Sequence, residues 1–206
     1  MDFDEVVRRR RMVRNYTNES VEQASLDRIM RAAVRAPSAG FSQGQRFVVV
    51  TDRDTRMAVA EAGGEAEYIA NGFEPWISRA PVHIVICTDK GAYLRRYSEP
   101  DKAEAATGQD EESGWVVPYW WVDAGASMMA ILYAAVNEGL AAGFLGAHAL
   151  GNLRTILGIP DEIDIVGIAT IGHPGEDRRS GSLARGWNPP SDVVMHNHWT
   201  SPAYPG

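Results

Sequence analysis

A single cysteine, Cys87, stands in the 206 residues of this chain, so no disulfide can close within it. Cys and His residues never fall at metal-ligand spacings. His196 and His198 lie two apart in a polar stretch, too weak a pattern to hold an ion. No Gly-x-Gly-x-x-Gly follows an apolar run, which argues against a Rossmann-type dinucleotide domain. Long uncharged apolar runs are missing as well. The richest stretch, Trp120 to Leu145, contains Asp123, Asn137 and Glu138, and a membrane span is not expected. The N-terminus is charged from Asp2 onward and shows no apolar signal region. With the lone thiol, this points to a cytoplasmic protein. Positive charge is in deficit: the net charge is -7, which argues against general nucleic-acid binding.

What remains is ordinary globular composition. Hydrophobic residues make up 45% of the chain and charged residues 23%, enough for one sizeable core. Residues 1–206 read as one domain with an inserted segment at about 88–117. Phe3, Val6 and Val7 share a face of a short helix over Asp2 to Arg10. Leu26, Ile29, Met30 and Ala33 recur at helical spacing, with Ser20 or Ser25 as the cap and Pro37 as the stop. Arg46 to Thr51 reads as a strand buried on both faces, and Pro81 introduces a second strand ending at Cys87. There a small thiol is a packing group rather than a nucleophile.

From Thr88 to Val117 charges, Gly and Pro dominate, with Tyr93, Tyr97 and Trp115 among them. This is long for a structureless connection and suggests a partly helical excursion, a lid or a loop. Pro118 then opens a long helix carrying Ala124, Met128, Met129, Ile131, Leu132 and Ala135. It is apolar on more than one face, which places it at the centre of the fold or at a dimer interface. Gly143 to Ala147 forms a short strand and turn, and Ile163 to Ile171 the last strong strand. Strands interspersed with helices indicate an α/β or α+β layered sheet.

Against the acidic background, Arg8 to Arg11 and Arg14 stand out. Guanidinium groups recognise phosphate in fork geometry. About one helix later comes a small-residue loop, Pro37-Ser38-Ala39-Gly40-Phe41-Ser42-Gln43-Gly44, suited to lie against a flat ring.

These segments resemble the nitroreductase family of FMN-dependent oxidoreductases. Arg10 and Arg14 match the charged positions of that family's Arg-x-Ser-x-Arg/Lys pattern, with Met12 where Ser is usual. Pro37, Ser38 and Gln43 match its Pro-Ser-x-x-Asn-x-Gln-Pro loop, with Phe41 in place of Asn and Gly44 in place of Pro. Gly139 to Gly146 resembles the Gly-Leu-Gly-like passage to a turn at the reactive edge of the flavin. Leu157-Gly158-Ile159-Pro160, an apolar strand and Gly172-His173-Pro174 follow in family order.

The resemblance implies a nitroreductase-like α+β fold. Its central mixed sheet would be flanked by helices, with the long central helix at the interface of a homodimer. It implies FMN held by Arg10, Arg11, Met12, Arg14, Pro37, Ser38, Ala39, Gln43, Leu145, Gly146, Ala147, Arg179 and Arg185. The Pro37 loop would reach the partner's flavin, so that each site is built by both chains. NAD(P)H would be the electron donor and a nitroaromatic, quinone or enone the acceptor. Substrate contacts are expected at Phe41, Tyr93, Trp115, Trp120 and Trp121. The flavin N5 performs the chemistry, and His148 is the one candidate proton donor. An alternative is a member of the same fold that binds flavin or F420 without ordinary nitroreductase turnover; Met12 and Phe41, less polar than the usual pattern, keep it open.

Overall fold

The computed structural model describes residues 1–103, 108–178 and 180–199. Three of its helices begin on an aspartate that accepts a first-turn N–H, the usual way to satisfy a helix start. Asp2 caps α1 (Phe3–Arg9), Asp52 caps α3 (Arg53–Ala62) and Asp89 caps α6 (Lys90–Tyr97). Helix α2 (Gln23–Ala33) starts instead at Glu22 without a side-chain cap. Ser25, one of its two expected caps, lies inside the helix and is buried. Short helices α4 (Glu65–Ala70), α5 (Trp76–Arg79) and α7 (Pro100–Ala103) follow in their places. The long helix α8 (Tyr119–Asn137) begins directly after Pro118. Helices α9 (Leu153–Leu157) and α10 (Pro190–Val193) complete the set among the described residues.

Strands β1 (Gln45–Val50), β2 (Val82–Thr88), β3 (Ala141–Gly146) and β4 (Asp164–Gly172) form one sheet in the order β1-β2-β4-β3. All three pairings are antiparallel. The expected mixed sheet is therefore antiparallel among the described strands. The one parallel element is a single bridge from Met12 to Ala142. A second correction concerns β1. It lies at the sheet edge, and Val49 is exposed, so its apolar run does not mark burial on both faces. β2, in contrast, is buried at every residue.

The sheet separates two cores. Val85, Cys87, Leu145 and Ile168 pack under α3, α5 and α9, while Ile84, Ile86, Ala169 and Ile171 pack under α2 and α8. The alternation along β2 and β4 follows the period of two of a strand with both faces covered. Burial pushes the Cys87 thiol up to about 11, so it stays protonated and inert, in keeping with a packing role.

The segment after β2 is partly helical. Tyr93 on α6, Trp115 and Trp120 form a third buried cluster with edge-to-face ring contacts. Tyr93 and Trp115 thus anchor the described parts of the segment in the core. No helix among the described residues is long and apolar enough to cross a membrane.

Candidate functional site

The arginine segment leaves α1 at Arg10, whose backbone is already extended, and runs along the start of β3 and the end of β4. Val13 N–H donates to the Ala142 carbonyl at 3.0 Å, and Thr17 N–H to the His173 carbonyl at 2.9 Å. The buried Tyr16 hydroxyl lies within 2.7 Å of Thr170 Oγ1. Burial raises its pKa, so it remains a neutral hydrogen-bonding group. Beyond β4 the chain folds back over the segment. Asn15 Nδ2 donates to the Glu176 carbonyl at 2.6 Å, and Arg79 Nη1 donates to Asn15 Oδ1 at 2.7 Å.

Within this segment the arginines differ sharply. Arg9 pairs with Glu5 one helical turn earlier. Arg11 Nη1 binds Asp177 Oδ2 at 2.6 Å, while Asp177 Oδ1 accepts the Arg14 N–H at 3.1 Å. Arg11, expected as a phosphate contact, is thus paired with a protein carboxylate. Arg10 and Arg14 have no ion-pair partner among the described residues. The Arg14 guanidinium lies 5.9 Å from the centre of the Trp76 ring. Met12 packs partly buried against the core under α8, so its thioether serves packing and not a polar contact. Arg185 ends the 3-10 turn Gly181–Arg185 on the surface. No described contact joins it to Arg10 or Arg14. Arg179 lies outside the described residues.

Leu145 and Gly146 end β3, and Ala147–Ala149 forms a single 3-10 turn. The first N–H groups of such a turn have no partner inside it. His148 is exposed and leans back over Gly146.

The Pro37 loop sits elsewhere. Ala39 N–H donates to Asp123 Oδ2 at 2.8 Å near the first turns of α8. Val136, near the other end of α8, lines a depression with Arg9, Arg11 and Val13. The rise from Asp123 to Val136 is about 20 Å. Pro37, Ser38, Ala39 and Gln43 therefore do not meet Arg10 and Arg14 within one chain.

Of the expected substrate residues, Phe41 is 75% exposed and Trp121 43%. Tyr93, Trp115 and Trp120, expected as substrate contacts, are buried against one another in the single chain. The Tyr93 hydroxyl donates to Asp123 Oδ2 at 2.7 Å. Sequence reasoning missed Asp123, Asp177 and Trp76 as parts of these two regions. A carboxylate inside an apolar helix was the visible signal for Asp123, but nothing local pointed to its partners.

A family model described as "Nitroreductase family" matches residues 7–173, and the chain belongs to that family. It is 30% identical to an FMN reductase [NAD(P)H] of Bacillus subtilis, over 90% of this chain and 69% of that protein. It is 28% identical to an NADH dehydrogenase of Thermus thermophilus, over 86% of this chain and 89% of that one. An FMN-dependent nitroreductase from Clostridium difficile shares the fold, with a TM-score of 0.67, 20% identity and coverage of 94% and 98%.

FMN brings a phosphate dianion and a planar ring, and the donor set suits both. Within the cluster, Arg8, Arg10 and Arg14 have no ion-pair partner among the described residues, while Arg9 and Arg11 do. A turn at the end of β3 presents backbone N–H groups. The hydroxyl that the family pattern carries at position 12 is absent.

Proposed function

We propose that this protein is an FMN-dependent oxidoreductase that uses NAD(P)H to reduce an electron-poor acceptor such as a nitroaromatic, quinone or enone. The observation that carries the proposal is the selective neutralisation of the arginine cluster. Arg9 and Arg11 meet carboxylates, whereas Arg8, Arg10 and Arg14 have no ion-pair partner among the described residues; of these, Arg10 and Arg14 match the family's phosphate-gripping positions. Arg10 and Arg14 would hold the phosphate and ribityl chain. The N–H groups at Gly146 and Ala147 would face the N5 edge, with His148 beside them as a candidate proton source. Bound flavin supplies hydride transfer, and the protein supplies orientation and electrostatics.

The functional unit in this proposal is a homodimer with two shared sites, acting in the cytoplasm. Because the Pro37 loop and the arginines lie at opposite ends of α8, one site can contain both only if they come from two chains. Val116, Val117, Tyr119, Trp121 and Val122 are exposed at the start of α8, beside the loop that carries Phe41. An apolar surface of this kind is characteristic of an interface.

The test is an anaerobic survey on FMN-loaded protein, with NADH, NADPH and reduced F420 as donors against a panel of acceptors. Bleaching of the flavin by NADH or NADPH, followed by reoxidation on adding acceptor, is expected. Protein that takes up no FMN, or holds it without reduction by either nicotinamide, would refute the proposal and leave a binding role or an F420-linked one.

A further inference from the structure

The Pro37–Gln43 loop has an unusual backbone. Gly40, Phe41 and Gln43 have φ of 60°, 59° and 50°, and this left-handed region is disfavoured for residues with a side chain. Two such non-glycine residues within three positions persist only where the surroundings hold them. The surroundings here are specific. Asp123 Oδ2 accepts both the Ala39 N–H at 2.8 Å and the Tyr93 hydroxyl at 2.7 Å. Arg96 Nε donates to the Gly40 carbonyl at 2.9 Å. The Tyr97 ring approaches Gly40 so closely that a Cβ there would stand 2.7 Å from it. Within the loop, Ser38 Oγ accepts the Gln43 N–H at 2.9 Å. Tyr93, Arg96 and Tyr97 all belong to α6, in the inserted segment.

We infer that Asp123 is a positioning residue which, with Tyr93 and Arg96, locks the Pro37–Gln43 loop in its left-handed conformation and so sets which acceptors enter the site of the partner chain. The inserted segment thus acts on selectivity from behind the loop. Its aromatic residues form the buried platform on which the clamp stands. Phe41, 75% exposed at the tip of the loop, is the side chain whose placement the clamp controls. The selectivity half of this inference rests on the proposed shared flavin site; the clamp itself rests on the contacts of one chain.

The experiment compares wild type with Asp123→Asn, Asp123→Ala and Tyr93→Phe, all as full-length FMN-loaded protein. Hydrogen exchange is followed in peptides covering residues 37–44 and in peptides from β2 and β4. Two charge-assisted bonds converge on Asp123, and the loss of one changes an equilibrium by roughly tenfold or more. Asp123→Ala should speed exchange at residues 38–44 by about tenfold, with β2 and β4 unchanged. KM for bulky acceptors should shift by about the same factor relative to small ones, with kcat and the donor KM nearly constant. Asp123→Asn keeps an acceptor oxygen for Ala39 and should recover most of both effects. If Asp123→Ala does not fold, Asp123→Asn and Tyr93→Phe carry the comparison, with smaller shifts in the same direction.

Unchanged exchange at residues 38–44 would overturn the clamp. An equal fall in kcat for every acceptor would overturn its role in selectivity, as would Asp123→Asn behaving no better than Asp123→Ala. Failure of the wild type to bind FMN would sink the oxidoreductase reading and the selectivity role together. Exchange in the unloaded protein would then decide the clamp alone.

Discussion

Replacing Gly143 by alanine tests whether the arginine segment is seated against β3 as described. The added Cβ would stand 2.5 Å from the Val13 carbonyl oxygen, 2.8 Å from Thr170 Oγ1 and 3.1 Å from Trp76 Cζ3. Ordinary van der Waals contact begins near 3.4 Å. Relief therefore requires the Val13 backbone to retreat by roughly 0.9 Å, because neither it nor a fully buried Trp76 can rotate away. That retreat breaks the 3.0 Å bond from Val13 N–H to Ala142. Overpacking of this kind costs about 1–3 kcal/mol and the lost bond about 0.5–1.5 kcal/mol. The expected destabilisation is about 2–4 kcal/mol, or roughly 4–16 °C in Tm for a chain of this size. Arg14 moves with Val13, leaves its place over Trp76, and FMN affinity falls by roughly tenfold or more. Thermal and urea unfolding of the apoprotein read the first effect, and FMN titration by fluorescence quenching reads the second. A Gly143→Ala protein with wild-type Tm and wild-type FMN affinity would refute the seating and the cofactor placement built on it.

Three further outcomes are expected. Arg14→Ala weakens FMN binding by about 1.5–3 kcal/mol, the scale of a charge-assisted bond, while Arg11→Ala changes it less because Arg11 is engaged with Asp177; the reverse ranking in calorimetry would remove Arg14 from the site. Burial pushes His83 down to about 4, with its Nε2 at 2.7 Å from the Ile77 carbonyl. The unfolded chain therefore takes up the proton first as pH falls below about 6.5, and stability drops by about 2 kcal/mol between pH 7.5 and 5. Urea unfolding of His83→Gln should lack that component, and an identical pH dependence in the variant would sink the assignment. Sedimentation of FMN-loaded protein at micromolar concentration should show a dimer, with an interface of more than about 2,000 Å²; a flavin-loaded monomer would exclude shared sites.

The inserted segment shows where a sequence is misread and why. Tyr93 and Trp115 in a polar stretch look like rings free to stack on a ligand. Their burial comes from contact with each other and with Trp120, pairings that no local periodicity reveals. In the same way, a run of β-branched and aromatic residues marks β1 as a strand, yet its place at the sheet edge follows from strand order alone. Excising residues 93–114 would accordingly remove part of the core and not merely a cover.

What the sequence determined by itself is local in origin. Hydrophobic periodicity located α2, α8, β2 and β4, because period and burial are coupled within a single element. The order of the arginine cluster, the Pro37 loop, the Gly139–Gly146 passage and Gly172-His173-Pro174 was enough for the family. Tertiary structure decided which of those residues are free to act. Arg11 and Arg14 are three apart and chemically identical, but only Arg11 pairs its guanidinium with Asp177, which takes no more than the backbone N–H of Arg14. Asp123 is one polar residue in an apolar helix until the fold brings Ala39 and Tyr93 to the same oxygen. Charge compensation and hydrogen-bond satisfaction depend on partners far away in the chain, which neither composition nor spacing encodes.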